Sequence, residues 1–465
     1  MFISIRSAIC HCLKNTSIRT SRGYCTSTTE SPFKSIYNIF DKYKFKDQKL
    51  SNDDLWITPQ PISLSTSNPI NTNYQQLLMD RLKSFDAVSV GTQLVKSKSK
   101  RNSNLVEVHI DKVKMENKEY LDDFANHFSI YPHKYYKDSV IWSQQLLPNA
   151  KEIVLPRHSN KKLDEITFDY LFPILSFLSV YHQKKCDSGE NELPFSFMIQ
   201  STVISDHKDE EILEKLSDQS RSLRSSIIQR IERTRKRLLK GMVDYDCDSS
   251  VLKDKSPYLV QLLLVNTHKV YVSVNRLTYS QEIGWGYPLP FLNGTIPMKR
   301  DQTHPSRAYK KLLEVFGILG YTPSGKSTCV DLGSAPGGWI SLLLQINPDL
   351  RILSCDRSSL VNSLERNANV KHFIDDGSQW FPEEKVDWLF NDMAMPPPKS
   401  LETLEKWLKR SDVHHFVWAV KFVTSTDHQK IFDQIHGLMR KLKIEKYFIK
   451  HLLNQGNEIM IVGCK

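Results

Sequence analysis

The chain has 465 residues, which is long for one domain and points to two or three. With 40% hydrophobic and 25% charged residues it has a globular composition, and no apolar run approaches the roughly 18 residues that cross a bilayer. A net charge of +11 and a pI near 9.0 favour a polyanionic partner. The 8 cysteines include no C-x-x-C pair and no Cys/His cluster with zinc spacing, so a reducing compartment and no structural metal are expected.

Residues 1–29 contain no Asp or Glu but carry Arg6, Lys14, Arg19 and Arg22. Phe2, Ile3, Ile5, Ile9 and Leu13 line one helical face. This resembles a mitochondrial presequence with a processing site near Arg22 to Cys25, so a matrix location is expected, with the cytoplasm as second choice. Residues 30–120 are weakly patterned apart from an alternating strand over 105–110, and suggest no function.

Residues 121–283 are more regular. The pattern predicts a strand over 195–203, one or two helices over 209–240, and a hairpin of strands 258–265 and 270–274. Arg230, Arg233, Arg235, Lys236, Arg237 and Lys240 form a basic helix end that could clamp phosphates or simply be solvated. The Pro- and Gly-rich residues 284–305 read as a linker.

Residues 306–465 alternate strands and helices, the mark of a doubly wound parallel sheet. Ser306 is the expected N-cap of an opening helix that carries Lys311 and Glu314. The strand over 327–330 runs into Asp331-Leu332-Gly333-Ser334-Ala335-Pro336-Gly337-Gly338-Trp339, and a helix follows. The spacing D-x-G-x-x-P-G-G differs from the three-glycine dinucleotide fingerprint and suits a smaller nucleoside-bearing ligand lying on bare backbone.

Five further strands each deliver a polar residue. The strand over 351–355 ends at Asp356, placed to accept ribose hydroxyls. That over 370–374 ends at Asp375 and Asp376, one of which would meet an adenine amine, Asp376 being preferred. The strand over 386–390 delivers Asp392, followed by Pro396, Pro397 and Pro398, which are expected to stop the strand without starting a deep helix. The strand over 415–420 ends at Lys421, a cation that needs an acid such as Asp392 on the adjacent strand. A last strand, 457–463, carries Glu458.

The glycine loop, the S-R-A-x-x-K-L-x-E pattern from Ser306 to Glu314 and Asp392-Met393-Ala394 together resemble the FtsJ-type ribose 2′-O-methyltransferases. That resemblance implies a Rossmann-like class I methyltransferase sheet at the C-terminus and S-adenosyl-L-methionine as cofactor. It also implies a catalytic tetrad of Lys311, Asp392, Lys421 and Glu458, with no metal. The cofactor contacts it implies are Ser306, Gly333, Ala335, Pro336, Gly337, Gly338, Trp339, Asp356, Asp376 and Asp392. In this scheme Lys421 takes the hydroxyl proton, and since lysine ordinarily titrates near 10.4 its surroundings must favour the neutral amine.

Residues 121–283 look like an α+β THUMP-type RNA-binding module, and residues 284–314 look closest to the bacterial branch that methylates a cytidine ribose in large-subunit rRNA. The expected partner is therefore RNA, as mitochondrial rRNA or a large-subunit assembly intermediate, and not a membrane. Two other readings stay open: a non-catalytic RNA-binding assembly factor, and the same chemistry on tRNA or an mRNA cap.

Overall fold

The computed structural model describes residues 141–465 apart from positions 142, 149, 191, 204–209, 245–248, 299–302, 411 and 423–426; upstream it describes only residue 42 and the backbone of three strands. The basic segment 1–29 lies outside the described residues. The three strands are β1 (Asp54–Pro59), β2 (Val88–Gly91) and β3 (Val106–Ile110). With β4 (Ser143–Pro148) they form an antiparallel sheet in the order β2-β3-β1-β4.

Next come β5 (Lys151–Val154), α1 (Leu163–Asp187), β6 (Phe195–Val203), α2 (Glu210–Arg235), β7 (Ser256–Asn266) and β8 (Lys269–Arg276). They fold into a second sheet, β5-β8-β7-β6, in which only β6 and β7 run parallel. Both faces of β6 are buried, as the period of two requires. Phe197 and Ile199 pack with apolar residues of α1 and α2, while Met198 joins a cluster on the opposite side. Helix α1 keeps Pro173 in its interior, where Leu171, Ile174, Leu175, Phe177 and Leu178 bury its apolar surface. Packing of this kind offsets the hydrogen bond a proline removes.

The expected linker is not a free connection. Short strands β9 (Tyr279–Ser280) and β10 (Gly284–Trp285) pair, and Trp285, Leu289 and Ile296 are buried. They share one hydrophobic cluster with Met198 and Leu259 of the second sheet and with Leu312, Val315 and Trp339 of the C-terminal region. Gln145 clamps this segment by donating to the Leu289 carbonyl at 2.9 Å and accepting from the Leu289 N–H at 2.9 Å. Proline and glycine mark irregular backbone, and here that backbone is the packing between two units.

The C-terminal region contains α3 (Tyr309–Leu319), β11 (Thr328–Leu332), α4 (Gly338–Ile346), β12 (Arg351–Asp356), α5 (Asn362–Glu365), β13 (Val370–Ile374), β14 (Trp388–Asn391), α6 (Pro397–Leu408), β15 (His415–Lys421), α7 (His428–Lys441), β16 (Lys446–Lys450) and β17 (Glu458–Cys464). Its seven strands lie in the order β13-β12-β11-β14-β15-β17-β16. The first five are parallel and β17 runs antiparallel to both neighbours. From β11 the chain winds outward through β12 and β13, then returns to β14 on the other side of β11. That reversal opens a crevice at the carboxyl ends of β11 and β14, where ligands of such sheets bind.

Two expectations about local structure are corrected. Helix α3 is preceded by Ala308, not capped by Ser306, because residues 307–311 already close turns: Lys310 N–H donates to Arg307 O at 3.2 Å and Lys311 N–H to Ala308 O at 3.1 Å. The proline run does start a deep helix. Pro397 and Pro398 occupy the first turn of α6, where the N–H that proline lacks would have no intrahelical partner anyway.

The N-terminal strands are tied to the C-terminal sheet through buried polar groups. The Lys450 ammonium donates to the Ser143 carbonyl and lies 5.1 Å from the Tyr287 ring centre. Burial pushes Lys450 down to about 7, with Glu314 pulling the other way. His451 donates its backbone N–H to Ile141 O at 2.8 Å, and its Nδ1 bonds the Glu458 carbonyl at 2.8 Å. Burial holds the His451 ring down to about 4, against that carbonyl bond. An unfolded histidine titrates near 6.5, so between pH 6.5 and 4 the unfolded chain binds the extra proton. The stability owed to neutral His451 is therefore complete above pH 6.5 and lost as pH falls toward 4. Urea midpoints measured across this window should fall less steeply for His451→Asn than for the parent chain; parallel profiles would show that His451 does not contribute.

Candidate active site

The parallel strands deliver their side chains to one edge, and the register decides which ones meet. Asp392 follows β14, Lys421 ends the neighbouring β15, and Glu458 begins the antiparallel β17 directly opposite Lys421. Lys311 reaches the same edge from α3. Its Nζ lies 3.0 Å from each Asp392 oxygen and 2.6 Å from Glu458 Oε1. Lys421 Nζ lies 3.1 Å from Asp392 Oδ1 and donates to the Asp392 carbonyl at 2.7 Å. Four residues spread over nearly 150 positions of sequence thus form one contiguous group.

Burial sets the character of this group. The Lys311 and Asp392 side chains are each 13% exposed, Glu458 6% and Lys421 31%, so Lys421 is the member open to an incoming molecule. Burial opposes the Lys311 charge, but Asp392 and Glu458 outweigh it and hold the ammonium above its ordinary range. Glu458 Oε2 is buried with no hydrogen-bond partner among the described residues, an acceptor that remains available.

Beside the group lies a cavity of about 450 Å³. Its lining includes Gly333, Ala335, Asp356, Asp375, Asp376, Asp392 and Lys421 from the sequence reading. Asp356 accepts from the Ala335 N–H at 3.1 Å and the Ser358 N–H at 2.9 Å, one bond per oxygen, so each oxygen keeps acceptor capacity. Asp376 accepts from the Ser378 N–H at 3.0 Å and pairs with Arg357 at 2.7 Å; these contacts, the Ser378 bonds first, hold it down to about 2. Asp375 faces the same cavity, and its Oδ1 accepts the Asp376 N–H at 2.7 Å.

The glycine loop is shaped by close approach. Gly333 has φ +73°, and a Cβ there would lie 2.8 Å from the Met393 nitrogen. Gly337 has φ +112° as the residue before α4, and a Cβ there would meet Leu364 Cδ1 at 2.2 Å. Both are conformations that L side chains rarely adopt. Five residues expected at the cofactor are not in the cavity lining: Ser306, Pro336, Gly337, Gly338 and Trp339. Ser306 and Trp339 hold the loop and its helix in place instead. The Ser306 hydroxyl occupies the space a Gly338 Cβ would fill, 2.2 Å away, and the buried Trp339 donates from Nε1 to Ala308 O at 2.8 Å, binding α4 to the start of α3.

Met393 is a part of the site that the sequence reading did not single out, and Asp331 is buried outside the cavity lining. Asp331 opens the D-x-G pattern and is only 1% exposed; burial, then the negative Asp392 and Asp356, pushes its carboxyl well above the usual range. Met393 packs between Gly333 and Gly377 and lines the cavity. Among the described residues no cluster of His, Cys, Asp and Glu could hold a metal, and no helix is long and apolar enough to cross a membrane.

The basic helix end is only partly available. Arg230 is tied to Asp164 at 3.0 Å and Glu165 at 2.9 Å, whereas Arg233, Lys236, Arg237 and Lys240 are exposed.

Residues 305–458 match the family model of the FtsJ-like methyltransferases. The protein named ribosomal RNA large subunit methyltransferase M of Laribacter hongkongensis is 29% identical over 189 residues, covering 39% of this chain and 51% of that protein. The protein of the same name from Marinomonas sp. is also 29% identical, over 169 residues, covering 34% and 47%. The chain thus spans about half the length of these curated relatives. A solved ribosomal RNA methyltransferase from Plasmodium falciparum aligns with a TM-score of 0.28 at 15% identity, covering 35% of this chain and 98% of that one, and at that score adds nothing to the family match. Residues 305–458 of this chain are an FtsJ-like methyltransferase domain.

Proposed function

We propose that the chain is an S-adenosylmethionine-dependent methyltransferase of RNA that modifies a ribose 2′-hydroxyl. The observation that carries this is the Lys311–Asp392–Lys421–Glu458 group at the edge of a nucleoside-sized cavity. Large-subunit rRNA is the favoured substrate because the relatives bear that name. The basic, acid-free segment 1–29 favours mitochondrial rRNA. The sheet β5-β8-β7-β6 with α1 and α2 would serve as a THUMP-like RNA-binding module, offering Arg233, Lys236, Arg237 and Lys240 to phosphates.

The residues present fit the cofactor. Gly333 leaves bare backbone beside the cavity, Asp356 keeps acceptor capacity for hydroxyls, and Asp376 or Asp375 offers a carboxylate to an amine. When bound, S-adenosylmethionine supplies an electrophilic methyl group on a sulfonium.

The protein's task is to prepare the nucleophile. Lys421, the most exposed of the four, receives the proton of the ribose hydroxyl as the new carbon–oxygen bond forms. Asp392 holds the Lys421 amine through its side chain and its carbonyl. Lys311, kept cationic, fixes Asp392 and Glu458 in place. Glu458 shares the Lys311 cation with Asp392 and keeps it at the reacting end. General-base help of this kind contributes about 10²–10⁴-fold, and alignment of the reacting atoms can contribute roughly 7–11 kcal/mol.

Transfer of a labelled methyl group to rRNA from cells lacking the protein tests the activity, and mapping the product sugar tests the position. Lys421→Ala should bind the cofactor within about twofold of the parent chain while turnover drops about 10²–10⁴-fold. Turnover at the parental rate would remove Lys421 from the mechanism. Asp392→Ala should weaken both cofactor binding and turnover, because Asp392 touches both lysines and lines the cavity. Lys311→Met leaves the buried Glu458 without its cation and Asp392 with Lys421 alone, and should cost about 3–5 kcal/mol of stability, read from denaturant unfolding.

A further inference from the structure

The cavity lining carries both charges. Asp356, Asp375 and Asp376 come from the ends of β12 and β13, with Arg357 already paired to Asp376 at 2.7 Å. From the ends of β14 and β15 come Asp392, Lys421 and the segment Met393, Ala394, Met395 and Pro396 that leads to Lys399. Lys399 is exposed, and among the described residues it has no ion-pair or side-chain hydrogen-bond partner. Its helix does not lack for acids. Glu402 pairs with Lys406 at 2.9 Å, and Glu405 pairs with Lys409 at 2.8 Å and Lys441 at 2.6 Å.

Its position is unfavourable for a cation. Lys399 is the third residue of α6, whose first turn contains no acid, and the start of a helix carries partial positive charge. It also shares the cavity with Lys421, whose own carboxylate partner is Asp392. A lysine placed against the helix field, with the carboxylates of its own helix committed elsewhere, is best satisfied by an anion from outside the chain. Pro396, Pro397 and Pro398 have no N–H to offer that anion, so the Lys399 ammonium is the donor at this corner.

We propose that Lys399 binds the phosphodiester on the 3′ side of the ribose being methylated. This rests on the reading of the site as a ribose 2′-O-methyltransferase and names the substrate group that orients the sugar. In a ribonucleotide the 2′-hydroxyl and the 3′-phosphate stand on adjacent carbons. A hydroxyl directed at Lys421 therefore places that phosphate within reach of the cavity wall beyond it. Anchoring the phosphate fixes the rotation of the ribose and separates the 2′-oxygen from other hydroxyls. Lys399 is a substrate-positioning residue and takes no proton.

The test uses the full chain and unmodified rRNA from cells lacking the protein, with methyl transfer followed over a range of salt. Lys399→Gln should raise the KM for RNA about tenfold, reduce the salt slope of binding by about one phosphate contact, and leave the cofactor Kd within twofold. Lys399→Arg should restore most of the RNA affinity, which a purely structural role would not require. Parental KM and salt slope in Lys399→Gln would overturn the assignment while leaving the methyltransferase reading intact. A weakened cofactor Kd with unchanged RNA KM would also overturn it, moving Lys399 to the nucleoside side. Failure of the parent chain to methylate this RNA at a ribose would remove the reading itself, and the Lys399 assignment with it.

Discussion

The structure depends on one ammonium held between two carboxylates. Lys311 bridges Asp392 and Glu458, and those three side chains come from a helix, a parallel strand end and an antiparallel strand start. Removing charge from water is costly, and such a contact forms only where geometry compensates. The cation therefore does more than pair charges. It fixes α3 against the sheet edge, sets the gap between β14 and β17, and leaves Lys421 as the open member of the group. Each carboxylate would repel the other without it.

Support for this arrangement comes from behind. Trp339 binds α4 to the turn before α3, so the glycine loop and the helix of Lys311 move together. On the far side, His451 bonds the Glu458 carbonyl and the Ile141 carbonyl, joining the edge that carries Glu458 to the strand at residue 143 and beyond. The grouped charged side chains are few; the parts that hold them reach into both halves of the described chain.

Much of this was legible in the sequence. Short apolar runs ending in Asp356, Asp392 and Lys421 announced parallel strands with polar residues at one edge, because a parallel sheet buries both faces and leaves its ends for function. Other features were hidden for physical reasons. Pro173 looked like a break in an apolar run, yet tertiary packing keeps it inside α1. The prolines at 397 and 398 looked like barriers, yet the first turn of a helix has no use for their missing N–H. Lys450 lies in a strand of mixed polarity, and nothing local tells that its ammonium is buried against Ser143. Asp331 opens the glycine pattern, but its raised carboxyl was hidden because the carboxylates that act on it, Asp392 and Asp356, are distant in sequence.

The segment around Trp285 and Ile296, first taken for a linker, has a wider consequence. Two units that share a core have no hinge between them. Were the first unit to hold the substrate, as proposed above, that molecule would meet the Lys311 edge at a fixed span and angle, and the pair would work as a caliper. A short fragment touching only the cavity would then forfeit the first unit's share of the recognition.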